Sequence, residues 1–323
     1  MRRSGASPAS ELAVGIDVGG TKCAAFRVAA DGTVLDRLQE ITPADDPEAL
    51  LALVERLVLQ MASDDVRAIG IGAAGMVDHR TGVLRYAPNL SWRELPLRGR
   101  VARATGLPVT VDNDANAAAW GEFRHGAGRD VSDMLLVTVG TGIGGGIVAG
   151  GRLYRGAHGL AAEIGHIIVE PGGPLCGCGN RGCWEQVASG RAIDRLGREA
   201  AVSHPEALFV KEAGGDPAKV TGPLVTDAAM RGDPVASSVL TEVGRRLGEG
   251  IAGLVNSLDP EKVVVGGGAA VAGEMLLEPA REAFRDAVEA PEYRPEVPIV
   301  PAELGNDAGA VGAAALALEE LSS

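Results

Sequence analysis

One supersecondary unit occurs twice in this chain, and it constrains the fold more than any other feature. Residues 12–34 have the pattern of a strand, a glycine turn, a second strand, an Asp-Gly turn and the start of a third strand. Residues 134–153 repeat that order, with a Gly-Gly pair at the second turn. Apolar runs bounded by such turns indicate β-hairpins. Two copies of the unit, each opening a domain, predict two related α/β lobes that face one cleft.

The segments between and after these units alternate between helix and strand patterns. Apolar residues at i, i+3 and i+4 spacing predict a helix over 47–61. Buried strands are predicted at 66–71, 108–111, 262–265 and 297–300, and helices at 96–105, 114–123, 191–201, 234–257, 273–289 and from 307. This alternation predicts mostly parallel sheets with helices on both faces. The segment 204–223 has the weakest pattern, and a surface excursion is expected there.

The turn of the first unit carries groups that bind phosphate. Gly19 and Gly20 allow backbone N–H groups to approach phosphate oxygens, and Thr21 and Lys22 add a hydroxyl and a cation. Asp17 is suited to hold Mg²⁺ through water. An ordinary hairpin turn is the alternative, because short glycine motifs often match by chance.

The equivalent turn of the second unit makes that alternative weaker. It holds five glycines in the seven residues 140–146, more than a hairpin requires. Two such loops at matched positions would hold a polyphosphate from both sides; the second loop offers Gly140, Thr141, Gly142 and Gly144. A third glycine run follows a predicted strand and suits close packing against a nucleoside, although a plain strand–helix junction would look the same. It comprises Gly266, Gly267 and Gly268.

A polar cluster stands where a strand is predicted to end and a helix to begin. Asp114 is a candidate for the carboxylate that takes a proton from a sugar hydroxyl during phosphoryl transfer, and Asn113 is a candidate to hydrogen-bond the same sugar. Helix capping is the alternative for part of this cluster, since Asp and Asn are preferred N-caps. Either Asp112 or Asn113 could serve as that cap.

Four residues have the spacing of a closed zinc site. His166, Cys176, Cys178 and Cys183 form the pattern H-x9-C-x-C-x4-C. Three thiolates and an imidazole suit tetrahedral Zn²⁺ in a structural role, and His158 is the rival histidine. Two acidic residues flank the ligands and could either support them or bind sugar hydroxyls: Glu163 and Glu185.

Charge and hydropathy exclude several classes of protein. The formal net charge of −13 argues against a nucleic-acid partner. No apolar run reaches the roughly 18 residues of a membrane span, so no membrane partner is expected. The N-terminal arginines are not followed by an apolar core, and the clustered cysteines suit a metal rather than disulfides. We therefore expect a cytoplasmic protein.

Taken together, these motifs resemble the ROK family (repressor, open reading frame, kinase). The resemblance covers nearly the whole chain, in order, through the segments DVGGTK, GAAGMVD, DNDANAAAWGE, GTGIGGG, EIGH, CGCGNRGCWE and VVGGG. Within the family the chain is similar to the actinobacterial ATP-dependent glucokinases, including PNLSW at 88–92 and WEQVASGRA at 184–192. One departure is Asp112, where relatives often carry Glu.

The resemblance implies a fold, an activity and a set of site residues. The fold would be the two-lobe, actin-like (ribonuclease H-like) α/β fold of hexokinases, with a small lobe at 11–112 plus 305–323 and a large lobe at 113–304. The reaction would transfer the γ-phosphoryl group of ATP, with Mg²⁺, to the 6-hydroxyl of glucose, and Asp114 would be the base. Structural zinc and a homo-oligomer, dimer or tetramer, are implied as well. The implied sugar ligands are Gly75, Asn113, Glu163, His166 and Glu185.

Three other functions compete with this one. A kinase for mannose, fructose, N-acetylmannosamine or N-acetylglucosamine would use the same site residues. A polyphosphate donor is disfavoured because related polyphosphate enzymes usually lack the cysteine cluster. A sugar-responsive transcriptional regulator of the family would carry a winged helix-turn-helix before the first strand, where about ten residues precede Leu12. We expect zinc loss to weaken sugar binding more than nucleotide binding, because the phosphate loops lie elsewhere in the chain.

Overall fold

The computed structural model describes residues 11–87 and 91–322. The first ten residues and part of the PNLSW segment lie outside this range. Within the described residues, no helix is both long and apolar enough to cross a membrane.

The described strands follow the predicted alternation and add several short ones. In chain order they are β1 Leu12–Val18, β2 Lys22–Ala29, β3 Val34–Ile41, β4 Val66–Ala73, β5 Met76–Asp78, β6 Val83–Tyr86, β7 Arg93–Leu95, β8 Val109–Asn113, β9 Met134–Val139, β10 Ile143–Ala149, β11 Arg152–Leu153, β12 Lys262–Gly266 and β13 Ile299–Pro301.

The described helices include every helix that the spacing predicts. They are α1 Pro47–Met61, α2 Leu97–Thr105, α3 Asp114–His125, α4 Glu185–Ala188, α5 Gly190–Ser203, α6 Leu208–Glu212, α7 Gly222–Met230, α8 Pro234–Leu258, α9 Glu274–Ala287 and α10 Ala308–Ser322. The prediction of a surface excursion over 204–223 is wrong for the part of this segment around α6. This segment contains α6, and Phe209 and Val210 are buried there.

The two five-stranded sheets have the same design. The first has the order β3-β2-β1-β4-β8, and the second has the order β11-β10-β9-β12-β13. In each sheet the first strand of the repeated unit is central, its hairpin partners lie on one side, and two later strands lie on the other. The duplication predicted from the sequence is therefore confirmed. A separate small sheet has the order β5-β6-β7.

The register of the first sheet brings three strand ends together. Strand β1 pairs antiparallel with β2 and parallel with β4, and β4 pairs parallel with β8. Val18 lies opposite Ala73, which in turn lies opposite Asn113. Because ligands of open α/β sheets bind at the carboxyl ends of parallel strands, this row is where a site is expected.

The two faces of the first sheet are buried differently. One face packs bulky residues against α1 and α2, including Ile16, Leu57 and Ile69. The other packs Ala13, Ala24, Phe26 and Val28 against α10, and at the glycines of β1 and β4 the backbones approach closely. A Cβ at Gly15 or Gly70 would overlap a carbonyl oxygen of α10. Glycine at these positions is what allows α10 to lie directly on β1 and β4.

The chain divides into two compact units. The first contains the residues up to Leu136, Gly146–Ala162 and the residues from Ala302 on; the second contains Val137–Gly145 and Glu163–Pro301. Helix α3 belongs to the first unit, whereas the lobe boundaries expected from the sequence place it in the large lobe. Those boundaries, 11–112 plus 305–323 and 113–304, stay a prediction.

Candidate functional site

The first glycine turn connects β1 to β2 and is held by hydrogen bonds within the turn and from Thr42. The N–H of Gly19 donates to the carbonyl of Lys22 at 3.1 Å, which closes the turn. Thr42 holds it from outside, with its hydroxyl donating to the Gly19 carbonyl at 2.8 Å and its N–H donating to the Thr21 carbonyl at 3.0 Å. Gly20, Thr21 and Lys22 remain exposed and available to a ligand.

Asp17 stands beside this turn in a setting that disfavours its charge. Burial, followed by the negative charge of Asp114, raises the pKa of Asp17 to about 7, and Lys22 acts in the opposite direction. The first turn of α10 reaches the same carboxylate, because a Cβ at Gly309 would lie 2.9 Å from Asp17 Cγ. Two neighbouring carboxylates of this kind attract a divalent cation, because its positive charge would offset both the cost of burying their negative charges and the repulsion between them.

Asn113 is the N-cap of α3, as one of the sequence alternatives allowed. Its Oδ1 accepts the N–H groups of Ala115 at 2.9 Å and Asn116 at 3.1 Å. Its Nδ2 donates to the carbonyl of Gly75 at 3.1 Å and to Asp114 Oδ1 at 2.9 Å. The amide is thus fully engaged by the fold, and a sugar hydroxyl would have to share one of these bonds.

Gly75 and Asp114 are both held by that amide. Gly75 has a φ of 121°, a conformation that only glycine adopts without strain. Asp114 is the first residue of α3, and burial raises the pKa of its carboxyl, while hydrogen bonds from Ala115 N–H and from Asn113 act to lower it. A carboxylate that is short of solvent and has a raised pKa is suited to accept a proton.

A partner of Asp112 was not found from the sequence. Asp112 is buried, and its Oδ2 accepts a hydrogen bond from Arg155 Nε at 2.6 Å. Its Oδ1 accepts the Asn113 N–H at 2.8 Å and Asn116 Nδ2 at 3.0 Å. The ion pair therefore anchors the strand end that carries Asn113 and Asp114. No local sequence signal links residues 43 positions apart.

The second glycine loop joins β9 to β10 and is held by residues that the sequence analysis did not assign. Gly140 N–H donates to the Gly142 carbonyl at 2.9 Å, and the Gly140 carbonyl accepts from Gly190 N–H at 2.8 Å. The Ser189 hydroxyl lies 3.1 Å from the Thr141 carbonyl. In the sequence, Ser189 and Gly190 lie within the run WEQVASGRA, which resembles the same segment of related glucokinases.

The third glycine run lies next to this loop. Gly267 has a φ of 90°, and a Cβ there would lie 2.6 Å from the Val139 carbonyl at the end of β9. A cavity of about 510 Å³ is lined by residues of both, Gly140 and Thr141 from the second loop and Gly268 from the third run. Its lining includes Thr141, Arg191, Asp194, Thr226, Met230, Gly268 and Val271. The volume and the mixture of apolar and polar walls suit a nucleoside.

The predicted metal ligands form one cluster. The ligand atoms of His166, Cys176, Cys178 and Cys183 all lie within 4.8 Å of one another. His166 Nδ1 is 3.6 Å from Cys176 Sγ, and the sulfurs of Cys178 and Cys183 are 3.6 Å apart. Tetrahedral zinc, with bonds of about 2.3 Å to sulfur and about 2.0 Å to nitrogen, requires ligand atoms about 3.6–3.8 Å apart. The donor set fits zinc, and His158 is not part of the cluster.

Both flanking carboxylates lie on elements fixed by this cluster. Cys176 Sγ donates to Glu185 Oε1 at 3.0 Å, and Glu185 begins α4, directly after the ligand segment. A Cβ at Gly142 would collide with the other carboxylate oxygen of Glu185. Glu163 precedes the 3₁₀ turn Ile164–His166, which packs against β10 through Gly165. Glu185 thus contacts both the metal cluster and the second glycine loop.

The predicted site residues fall into two groups, one in each unit. The first unit brings together Asp17, Gly19, Gly20, Thr21, Lys22, Gly75, Asn113 and Asp114. The second unit brings together the glycine loop Gly140–Gly142 with Gly144 at the start of β10, the run Gly266–Gly268, the metal cluster, Glu163 and Glu185.

Two sheets of matching strand order, each with a glycine turn after its central strand, define an α/β protein with the actin-like two-lobe fold of sugar kinases. The chain belongs to the ROK family, whose model matches residues 13–320. A glucokinase of Streptomyces coelicolor is 43% identical over 311 residues, covering 95% of this chain and 98% of the relative.

A solved structure and a second enzyme of the family are also similar. The crystal structure of a ROK family glucokinase from Streptomyces griseus, in complex with glucose and AMPPNP, matches with a TM-score of 0.87 and 45% identity, covering 95% of this chain and 99% of that one. An N-acetylmannosamine kinase of Escherichia coli is 36% identical over 314 residues, 94% of this chain and 98% of the relative.

Proposed function

We propose that this protein is an ATP-dependent glucokinase, which transfers the γ-phosphoryl group of ATP to the 6-hydroxyl of glucose. The observation that carries the proposal is the carboxylate of Asp114. It lies at the N-terminus of α3, burial raises its pKa, and the amide of Asn113 fixes its orientation. The similarity to glucokinases over nearly the full chain supports the choice of sugar and of donor.

In this reaction Asp114 would accept the proton of the sugar hydroxyl as the oxygen attacks phosphorus. Phosphoryl transfer otherwise requires positioning and charge neutralisation rather than covalent help from the protein. Backbone N–H groups of the two glycine loops, with Thr21 and Lys22, would hold the phosphates, and the cavity beside Gly140 and Gly268 would hold the nucleoside. Mg²⁺, when bound near Asp17, would neutralise phosphate charge.

Further sugar contacts are proposed for residues that the family resemblance implies. These are Gly75 and Asn113 in the first unit, and Glu163, His166 and Glu185 in the second. Zinc on His166, Cys176, Cys178 and Cys183 would be structural. Because His166 Nδ1 faces Cys176 Sγ, its Nε2 is left for an outer partner such as a sugar hydroxyl. A cytoplasmic homo-oligomer, dimer or tetramer, without nucleic-acid or membrane partners completes the proposal.

A steady-state assay over a panel of sugars and donors tests this function. Glucose, mannose, fructose, N-acetylmannosamine and N-acetylglucosamine would each be offered with ATP and with polyphosphate. We expect the highest kcat/KM with glucose and ATP. The second candidate, an N-acetylmannosamine kinase, is favoured by the 36% identical Escherichia coli relative. A higher kcat/KM for N-acetylmannosamine than for glucose would decide in its favour.

A further inference from the structure

A buried corner of the second unit lies between the metal cluster and the second glycine loop. It comprises residues 185–190: helix α4, Ser189, and the first residue of α5. Ser189 is fully buried and is the N-cap of α5, with its hydroxyl oxygen accepting the Arg191 N–H at 3.2 Å. Apart from Glu185, a proposed sugar ligand, the corner has no role in the proposed chemistry, yet it contacts elements that do.

On one side, the corner fixes the orientation of two successive peptide groups of the glycine loop. Gly190 N–H holds the carbonyl of Gly140 at 2.8 Å, and the Ser189 hydroxyl lies 3.1 Å from the carbonyl of Thr141. In a planar trans peptide the N–H points opposite to the carbonyl. With both carbonyls directed at the corner, the N–H groups of Thr141 and Gly142 point away from it. Successive N–H groups on one side of a loop make a site for phosphate.

The fit at this contact is tight. A Cβ at Gly190 would lie 2.7 Å from the Gly140 carbonyl oxygen, so the two backbones approach as closely as glycine permits. The Ser189 hydroxyl has one proton and two acceptors within reach, since the Glu185 carbonyl lies at 2.5 Å. It donates to one of them at a time, so its proton is shared between the Thr141 carbonyl of the loop and the carbonyl of Glu185, the first residue of α4.

On its other side, the corner is attached to the metal cluster. It begins two residues after Cys183, whose carbonyl accepts the N–H of Gln186 at 2.9 Å. Glu185 Oε1 also lies 3.0 Å from Cys176 Sγ. A displacement of the cysteine segment would therefore move α4, and through α4 it would move the glycine loop.

We propose that Ser189 is a positioning residue for the nucleotide, and that the 185–190 corner couples the metal cluster to the second phosphate loop. This inference rests on the proposed ATP-dependent function. It adds to the expectation that zinc loss weakens sugar binding more than nucleotide binding, which stays a prediction. The phosphate loop is distant from the cysteines in sequence, but the corner contacts both, so nucleotide affinity depends on the cluster as well.

The test uses Ser189→Ala, with Ser237→Ala as the matched control. Ser237 also donates to a carbonyl four residues earlier, that of Asp233 at 2.8 Å, but it lies in α8 away from the loop. Calorimetric titration would give Kd for AMPPNP with Mg²⁺ and Kd for glucose, and atomic emission would give zinc content. We expect the AMPPNP Kd of Ser189→Ala to rise about 5-fold or more, the scale of one hydrogen bond. Its glucose Kd should stay within about 2-fold and its zinc content should be unchanged.

A double-mutant cycle tests the coupling itself. Cys178→Ser should lose zinc and also raise the AMPPNP Kd. If the corner transmits that effect, combining Cys178→Ser with Ser189→Ala should raise Kd by clearly less than the product of the two single effects. Effects that multiply would overturn the coupling. An AMPPNP Kd that Ser189→Ala leaves unchanged, or that Ser237→Ala raises equally, would overturn the positioning role. Wild-type protein that binds no AMPPNP would instead refute the proposed function.

Discussion

The properties of the Asp114 carboxylate come from its position in the fold rather than from its residue type. A helix N-terminus ordinarily stabilises a negative charge and lowers a carboxyl pKa. Here burial outweighs that effect and raises the pKa of Asp114. The side chain nevertheless keeps hydrogen bonds from Ala115 N–H and Asn113 Nδ2, each at 2.9 Å, which restrict its rotation. A restrained base with a raised pKa is what proton abstraction from a hydroxyl requires.

Replacing Asp114 should therefore remove catalysis without removing the sugar. We expect Asp114→Asn to lower kcat by at least about 10²-fold, the usual contribution of a general base, with glucose still bound. Asp46→Asn is the matched control, because Asp46 is the N-cap of α1 and Asn caps equally well. Steady-state kinetics and calorimetry on both variants measure this. A near-normal kcat in Asp114→Asn would assign the base to another residue.

Asp17 makes the folded protein sensitive to pH. The carboxyl ionises near pH 3.8 in the unfolded chain, and its pKa is raised to about 7 by the fold. Between these values the folded protein retains a proton that the unfolded chain has released, so stability falls as pH rises. The stabilising contribution is complete below pH 3.8 and is lost as the pH passes through about 7.

Asp17→Asn should consequently stabilise the ligand-free protein at high pH only. We expect its Tm to exceed that of the wild type at pH 8 and to approach the wild-type Tm near pH 4.5. The gain in the free energy of unfolding at pH 8 should be at most about 4 kcal/mol, which corresponds to the rise of the Asp17 pKa from 3.8 to about 7. Activity should fall in the same variant, because the proposed magnesium site loses its charge. Calorimetric scans at several pH values measure the first effect. A Tm difference that does not vary with pH would contradict the raised pKa.

Single-residue features were predictable where they are local in sequence. The glycine turns and the cysteine spacing are local patterns, and the structure forms a single cluster from the four metal ligands. Arg155 and Ser189 were missed because each acts across the chain, on Asp112 and on Thr141. Pairs of this kind arise from tertiary packing, which a single sequence does not display.

Among the elements, α10 is notable for how closely it packs. Its small residues face β1, β4 and α3, and Gly312 lies against the Ala117 carbonyl of α3. Gly121 of α3 meets α10 in the same way, at the carbonyl of Ala308. Such close packing brings the start of α10 to Asp17 and holds the start of α3 against the sheet. The first turns of α10 and of α3 therefore both contribute to the candidate site.

A methyl group in that contact should be costly. Gly312→Ala would overlap the Ala117 carbonyl, and we expect a loss of about 1–3 kcal/mol in the free energy of unfolding, as overpacking typically gives. Gly253→Ala is the matched control, because Gly253 lies exposed within α8 with open space around it. That control should gain about 0.5–1 kcal/mol through helix propensity. Urea unfolding of both variants measures the difference. Equal stability in the two would contradict the packing argument.

The elements were predictable in proportion to their length and amphipathicity. Helix α1 has its predicted bounds because a long apolar stripe follows an Asp46 cap and Pro47 at its start. Helix α6 has five residues and strands β5 and β7 have three each, too few to show a period. What fixes these short elements is the surface against which they pack.

For the molecule as a whole, ligand binding should appear as added stability. A ligand that binds only the folded state contributes about 2.7 kcal/mol at a concentration of 100 times Kd. At about 2–4 °C per kcal/mol, saturating glucose or AMPPNP with Mg²⁺ should each raise Tm by roughly 5 °C or more. Galactose, with its inverted 4-hydroxyl, serves as the control sugar and should raise Tm less than glucose at equal concentration. Thermal scans measure this, and equal shifts with the two sugars would count against glucose as the substrate.

The route of the chain through the first unit has a consequence during synthesis. Strands β1 and β4 are made early, but α10, which covers one face of them, comes from the far end of the described chain. At about 5–20 residues per second, the ribosome needs on the order of 10–50 s to make the segment between β4 and α10. During that interval the face of the nascent sheet that α10 will cover lacks this helix and is open to chaperones or to misassociation. The second unit, whose residues all precede Ala302, is completed first, and the first unit acquires its last helix only as translation reaches α10.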